Sequence, residues 1–197
     1  FSQSDSIVLN EIYKTSLTHG NTYEWLDFLS NQIGGRLSGS LNAERAVNWA
    51  ESELIKLGLD EVRLQPVMVP KWVRGNPEFA YVETKPGKTL NMNVCALGGS
   101  VSTPPAGIKA KVVEVSSFDQ LEALGRDKVE GKIVFYNRAM DKSIIDTFKS
   151  YGGCVDQRYD GAFHAAKLGA VAIIVRSMTL AIDDLPHTGS TVSYTHL

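Results

Sequence analysis

The sequence predicts an α/β protein, on the basis of three observations. Apolar residues recur at helical spacing through roughly the first third of the chain. After residue 60 the period changes to two, which is typical of strands. Beyond residues 98–107, GGSVSTPPAG, strand and helix patterns alternate at the spacing of a small α/β module. The chain therefore combines a helical opening, a few strands and a second α/β unit.

Composition excludes several functional classes. The chain has 197 residues, of which 43% are hydrophobic, so it is long enough to bury one large core or two small ones. Its net charge is −2, and it carries no basic field that would recruit nucleic acid or anionic lipid. No apolar run approaches the roughly 20 residues that cross a bilayer. We therefore expect no nucleic-acid partner and no membrane span.

Three helices are predicted before residue 60. The first ends before Gly20, and its apolar face contains Leu9, Ile12, Tyr13 and Leu17. Thr22 is a candidate N-cap for the second helix. The third helix has Ser40 or Asn42 as its N-cap, and Gly58 stands where a glycine ends many helices. A clear apolar stripe makes the third helix the best defined.

Strand patterns follow the helices, at residues 62–68, 79–82 and 92–97. Pro66 and Pro70 lack the N–H group that a sheet ladder needs. The first of these strands is therefore predicted at a sheet edge or with a bulge. Residues 85–88, Lys-Pro-Gly-Lys, have the chemistry of a turn between the other two strands.

The second unit has three predicted strands, at residues 111–115, 132–136 and 171–175. A short helix at residues 117–124 is capped by Ser116 or Ser117. A second helix is rich in small residues, namely Gly161, Ala162, Ala165, Ala166, Gly169 and Ala170. We expect this helix to lie close against a sheet, because each missing methylene lets the two backbones approach.

The two cysteines, Cys95 and Cys154, do not define a disulfide framework in a chain of 197 residues. Neither has neighbours at the spacing of a zinc ribbon or a redox motif. Two half-buried thiols are the favoured interpretation, and a bridge formed in an oxidising compartment is the alternative.

Two stretches of the sequence carry a family resemblance. Residues 33–72, which include GGRLSGS, resemble the N-terminal segment of exported di-zinc exopeptidases of the aminopeptidase and plasma glutamate carboxypeptidase family. Residues 98–189 resemble the protease-associated domain inserted in these enzymes. They do so through GGSVSTPPAGIKAKVVEV, GKIVFYN, GAFHAAKLGAVAIIVRS and PHTG, in that order.

The resemblance implies a fold and a division of the chain. Residues 1–97 are expected to be the N-terminal helices and first strands of a zinc-peptidase α/β domain. Residues 98–191 are expected to form an inserted, incomplete protease-associated α/β domain. Residues 192–197, VSYTHL, do not match the expected continuation, and we interpret them as a truncated or chimeric tail of doubtful origin.

The resemblance also implies a chemistry. Enzymes of this family hold two zinc ions, and a zinc-bound water becomes nucleophilic because the metal lowers its pKa toward about 7. They are secreted or periplasmic and act at a peptide terminus. We therefore expect the parent protein to hydrolyse a peptide or dipeptide as an aminopeptidase, a dipeptidase or a carboxypeptidase. A homodimer is compatible with the resemblance.

The metal-binding motifs of that family are missing from these residues. The family uses a His-x-Asp motif, an adjacent pair of glutamates, a further aspartate and a distal histidine. The 197 residues contain neither His-x-Asp nor Glu-Glu. We therefore expect this chain to be an N-terminal part of a secreted or periplasmic zinc exopeptidase. Alone, it is expected to have no catalytic residue, no bound zinc and no activity.

Arg36 and His187 are the two candidate residues for the substrate cleft. Arg36 lies in the GGRLSGS loop, where its guanidinium either binds a carboxylate of the substrate or pins the loop to the protein. His187 lies in PHTG, either on a loop that approaches the cleft or as a simple turn residue. The structural role is favoured for both. His164 is expected to serve helix packing.

Two other functional classes remain open. The chain is alternatively a stand-alone binding module, which uses the protease-associated fold to contact a protein or peptide without catalysis. It is also compatible with a structural segment that has no function of its own, whose incomplete sheet leaves an edge that promotes association. Specific ligand binding distinguishes the first of these from the second.

Overall fold

The computed structural model describes residues 3–181 and 183–191. Its contacts divide the chain into two compact units, Phe1–Val73 and Arg74–Leu197. We call them the helical unit and the sheet unit. The division into residues 1–97, 98–191 and 192–197 stays a prediction, and the last of these segments lies outside the described residues.

The helical unit contains the three predicted helices. Helix α1 is Gln3–His19, α2 is Thr22–Asp27, and α3 is Leu41–Lys56. A π-helical segment, Phe28–Ile33, continues directly from α2. The apolar face of α1 is exposed, and Ile33 is the buried hydrophobic residue among those described in this unit.

Helix α3 begins and ends where its capping residues predict. The Ser40 side chain accepts a hydrogen bond from the Ala43 N–H at 3.2 Å, and this satisfies one of the free donors of the first turn. Gly58 follows the helix with φ of +73°, a left-handed conformation that glycine adopts without strain. Asn21 precedes α2, so the predicted N-cap Thr22 is instead its first residue.

The strand predicted at residues 62–68 is wrong. Residues 61–79 form neither a helix nor a strand in the structure. Pro66, Pro70 and Pro77 in this segment lack the N–H group of a ladder, and Val67 and Met68 are 76% and 96% exposed. Alternation of apolar and polar residues favours an extended strand, but a strand forms only where a second strand pairs with it.

The sheet unit begins with a β-hairpin. Strand β1, Ala80–Lys85, pairs antiparallel with β2, Lys88–Met92. The predicted turn is confirmed, with Gly87 at φ of +73°. The strand expected at residues 92–97 is wrong beyond Met92, because β2 precedes it and residues 93–97 form no strand.

A parallel three-stranded sheet follows. Its strands are β3 (Val112–Val115), β4 (Ile133–Tyr136) and β5 (Ala172–Val175), in that spatial order. Helix α4, Phe118–Val129, connects β3 to β4 and changes direction at Gly125. Three short helices connect β4 to β5, namely α5 (Thr147–Gly152), α6 (Asp156–Tyr159) and α7 (Gly161–Lys167). The alternation predicted from sequence is therefore confirmed.

The core of the sheet unit lies between the sheet and helices α4 and α7. It consists of Val115, Leu121, Val129, Val134, Tyr136 and Ala165, each at most 1% exposed. The Tyr136 hydroxyl donates to the Gly161 carbonyl at 2.8 Å, and burial raises the pKa of that hydroxyl. A Cβ at Gly161 would lie 2.8 Å from the Tyr136 ring. The small-residue helix therefore lies as close to the sheet as its composition predicts.

Candidate functional site

Arg36 closes the end of the π-helical segment. Its Nη1 donates to the carbonyl oxygens of Leu29 and Gly34, the latter at 2.8 Å. Gly34 is the C-cap of this segment, where the backbone leaves acceptors without helical partners, and the Leu29 carbonyl also accepts the Gly34 N–H at 3.1 Å. The exposed guanidinium is thus bonded to its own loop, which supports the pinning role. A contact of Arg36 with substrate stays a prediction.

Asn42 also holds this loop. Its Nδ2 donates to the carbonyl oxygens of Ile33 at 2.8 Å and Gly35 at 3.1 Å. Within the helical unit, a groove of about 350 Å³ lies beside this loop, lined by Ser38, Gly39, Ser40, Ala43, Glu44, Val47, Val67 and Val69. The loop is therefore a fixed wall of an open, mostly apolar groove.

His187 lies on a second groove, within the sheet unit. This groove has a volume of about 360 Å³. Its base is formed by Met140 and Met178, which are 7% and 8% exposed, and the rest of its lining comprises Thr147, Phe148, Tyr151, Thr179, Leu180, Ala181 and His187. We call it the methionine groove. Its chemistry suits an apolar side chain, with the exposed imidazole of His187 at the rim.

The segment that carries His187 is fixed at several points. The His187 N–H donates to Ser177 Oγ at 3.4 Å. The Gly98 N–H donates to the Gly189 carbonyl at 2.7 Å, and the Thr191 N–H donates to the Gly98 carbonyl at 3.0 Å. Gly98 and Ser190 thus form a parallel β-bridge, although the composition of both segments is typical of loops. His187 therefore has a defined place beside the groove.

A polar cluster at the carboxyl end of β4 was missed by the sequence analysis. Gln157 is fully buried; its Oε1 accepts from the Arg138 N–H at 3.1 Å, and its Nε2 donates to the Arg138 carbonyl at 2.7 Å. The Arg138 guanidinium forms a short ion pair with Asp156. The side chain of Gln157 thus bonds to the backbone N–H and carbonyl of one residue, as a neighbouring strand would. No local sequence pattern predicts this role.

Both cysteines are free thiols in the described part of the chain. Cys154 is 1% exposed and packs with Met140 and Met178, and burial raises the pKa of its thiol. Cys95 is partly exposed, and its sulfur accepts from Arg74 Nη1 at 3.3 Å. The interpretation as unpaired thiols is confirmed.

His164 serves helix packing, as expected. Its ring stacks on that of Phe118, with centroids 4.0 Å apart and planes 11° from parallel. This contact joins α7 to α4. Nδ1 lies 3.8 Å from a carboxylate oxygen of Glu122.

The described residues do not fit a zinc ion. Within residues 3–181 and 183–191, no three His, Cys, Asp or Glu side chains are grouped so that they could hold a metal. Zinc sites in enzymes take at least three such ligands from the protein. Over the same residues, no helix is long and apolar enough to cross a membrane.

The proteins similar to this chain in sequence include carboxypeptidase Q from several vertebrates. No protein-family model matches the chain. Over 168 residues, 85% of this chain, it is 41% identical to carboxypeptidase Q of Bos taurus and 38% identical to that of Homo sapiens. Carboxypeptidase Q of Xenopus laevis is 40% identical over the same length. The chain spans about a third of the length of these relatives, 33% in each case.

Solved structures show the same relationship. A peptidase M28 precursor from Shewanella amazonensis superposes with a TM-score of 0.81 and 30% identity, over 96% of this chain and 42% of that one. A zinc aminopeptidase from Bacillus subtilis, at 19% identity and a TM-score of 0.51, shares the fold over 85% of this chain and 36% of its own.

Fold and comparisons first define a class: the chain is a mixed α/β protein of the M28 zinc-peptidase type. Within that class it belongs to the carboxypeptidase Q-like exopeptidases, of which it covers about a third. The resemblance found in the sequence is therefore confirmed. The protease-associated domain, export and the number of metal ions stay predictions.

Proposed function

We propose that this chain is the N-terminal part of a zinc-dependent exopeptidase that hydrolyses peptides or dipeptides in an exported compartment, secreted or periplasmic. The observation that carries the proposal is the match to carboxypeptidase Q over 168 residues at 41% identity, together with the M28 fold. An aminopeptidase, a dipeptidase and a carboxypeptidase all belong to this reaction type. A homodimer is part of the same proposal.

We propose further that the 197 residues alone are inactive, because the metal site of the parent enzyme lies elsewhere in its chain. The described residues offer no group of three metal ligands, which supports this assignment. In the proposal two zinc ions supply the activated water of the parent enzyme. This chain contributes a folded unit, residues 98–191, of the protease-associated type.

Within that unit we propose that His187 contacts the substrate. The side chain lies at the rim of an apolar groove and is exposed, and its backbone is fixed by Ser177. The methionine groove then accepts an apolar side chain of the peptide, because unbranched thioethers adapt to side chains of different shape. Within the helical unit, we propose Arg36, which holds the GGRLSGS loop, as a second candidate for contact with the substrate.

The test is peptide hydrolysis by the protein expressed from the complete native gene. We expect hydrolysis at a peptide terminus that stops after chelation and returns with zinc. His187→Ala is expected to raise KM about three- to tenfold, the loss of one hydrogen bond or contact to substrate. His19→Ala is the matched control, since His19 is exposed at the end of α1. Hydrolysis that is insensitive to chelation would contradict the proposal.

A further inference from the structure

Arg158 lies between helix α5 and the loop that carries His187. Its Nη2 donates a short hydrogen bond to the hydroxyl of Tyr151, which belongs to α5. The guanidinium carbon also lies 5.4 Å from the centroid of the Tyr151 ring. Tyr151 and His187 both line the methionine groove. One arginine therefore connects the two walls of that groove.

The loop is shaped around this guanidinium. A Cβ at Gly189 would lie 2.6 Å from the Cζ of Arg158 and 2.8 Å from its Nε. A residue with a side chain would therefore displace the arginine, and only glycine leaves it room. On its other side, the same glycine accepts the hydrogen bond from Gly98. Gly189 is thus held between Gly98 and Arg158.

The position of Arg158 is unfavourable by itself. Its Nε is buried and has no hydrogen-bond partner among the described residues. A buried donor without an acceptor destabilises the folded protein, and more so when the group is charged. The neighbouring residue of the loop, Thr188, is held independently by Arg74, whose Nη2 donates to Thr188 Oγ1 at 3.3 Å. Arg158 is half-buried and packs against the same loop although its Nε lacks a partner, and this points to a role beyond loop attachment.

We propose that Arg158 is a positioning residue that fixes His187 at the rim of the methionine groove. The inference rests on the proposed function, in which His187 contacts substrate. The fork of the guanidinium sets the spacing between Tyr151 and Gly189, and this spacing sets where the imidazole lies relative to the groove. Arg158 itself contacts no substrate in this arrangement.

The direct test is the NMR signal of the His187 ring in the 197-residue chain. Arg158→Met keeps the length of the side chain but removes the fork, and it is expected to shift the ring resonances of His187. Gly189→Ala is expected to give the same shift, because the flexible guanidinium yields to the new methyl group. Arg126→Met is the control, since Arg126 pairs with Glu130 on the surface. It should leave the His187 signal in place.

A kinetic cycle in the complete enzyme separates positioning from mere stability. Arg158→Met and His187→Ala are each expected to raise KM about three- to tenfold. The double variant should raise KM no more than His187→Ala alone, because both changes remove the same contact. Arg158→Lys, which restores the charge without the fork, is expected to recover little.

The outcomes distinguish the inference from the proposed function. If Arg158→Met and Gly189→Ala both leave the His187 resonances unchanged in a folded chain, the positioning role is overturned. Additive effects of the two substitutions on KM also overturn it. If the resonances move while His187→Ala leaves KM unchanged, the substrate contact of His187 fails instead, and the clamp by Arg158 stands.

Discussion

Replacing Gly161 by alanine is expected to lower the free energy of unfolding of the sheet unit by about 1–3 kcal/mol. The new methyl group would lie 2.8 Å from Cε2 of Tyr136 and 3.2 Å from Cδ2. The ring cannot easily yield, because it is fully buried and packs edge-on against Phe118. A shift of the ring would also distort the hydrogen bond from the Tyr136 hydroxyl to the Gly161 carbonyl. Hydrogen exchange of the β4 amides in urea measures the change.

Gly152→Ala is the matched control for this substitution. Unlike Gly161, Gly152 has open space beside it. It is the exposed last residue of α5, and a Cβ there meets nothing within 4 Å. Alanine at that position is expected to change stability by less than about 1 kcal/mol, in the stabilising direction. Tryptophan fluorescence is an internal reference, because Trp25, Trp49 and Trp72 all belong to the helical unit. Equal losses at both glycines would contradict close packing of α7 as the cause.

Gln157→Met is expected to lower the free energy of unfolding of the sheet unit by about 2–4 kcal/mol. The thioether has nearly the same shape as the amide, so the change removes hydrogen bonds and leaves packing largely intact. The N–H and carbonyl of Arg138 then lose their partners in a place that water does not reach freely. Each polar group left in this state costs about 1–3 kcal/mol. Urea unfolding with the same exchange readout tests it.

Gln120→Met is the control for this second change. Gln120 is exposed, and its Oε1 accepts from the Ser116 N–H at 2.7 Å. Water replaces that bond when the amide is lost, so the expected cost is below about 1 kcal/mol. If Gln120→Met and Gln157→Met lowered the free energy of unfolding equally, the hydrogen bonds between Gln157 and the Arg138 backbone would not be the origin of the effect.

The parts of the fold that were predictable depend on local chemistry. The Ser40 cap, Gly58 after α3 and the Gly87 turn each follow from the conformational needs of one or two residues. The small-residue helix and the strands around it were predictable for the same reason, since composition there records how closely α7 approaches the sheet. These signals are contained in short stretches of sequence.

The parts that were not predictable depend on partners distant in the chain. The segment at residues 62–68 has a strand pattern, but in the described structure it has no neighbouring strand. Gln157 and Arg158 look like ordinary polar residues until the fold brings them to Arg138 and Gly189. His187 was identified as a candidate from its loop, but its groove is formed by residues from α5 and from the segment after β5.

Zinc content distinguishes a chain without a metal site from a complete zinc enzyme. The 197-residue chain and the protein from the complete native gene are dialysed against zinc, washed, and analysed for metal per polypeptide. Two zinc ions are expected in the complete protein and none in the 197-residue chain. A stoichiometric zinc ion in the 197 residues, or none in the complete protein, would contradict this expectation.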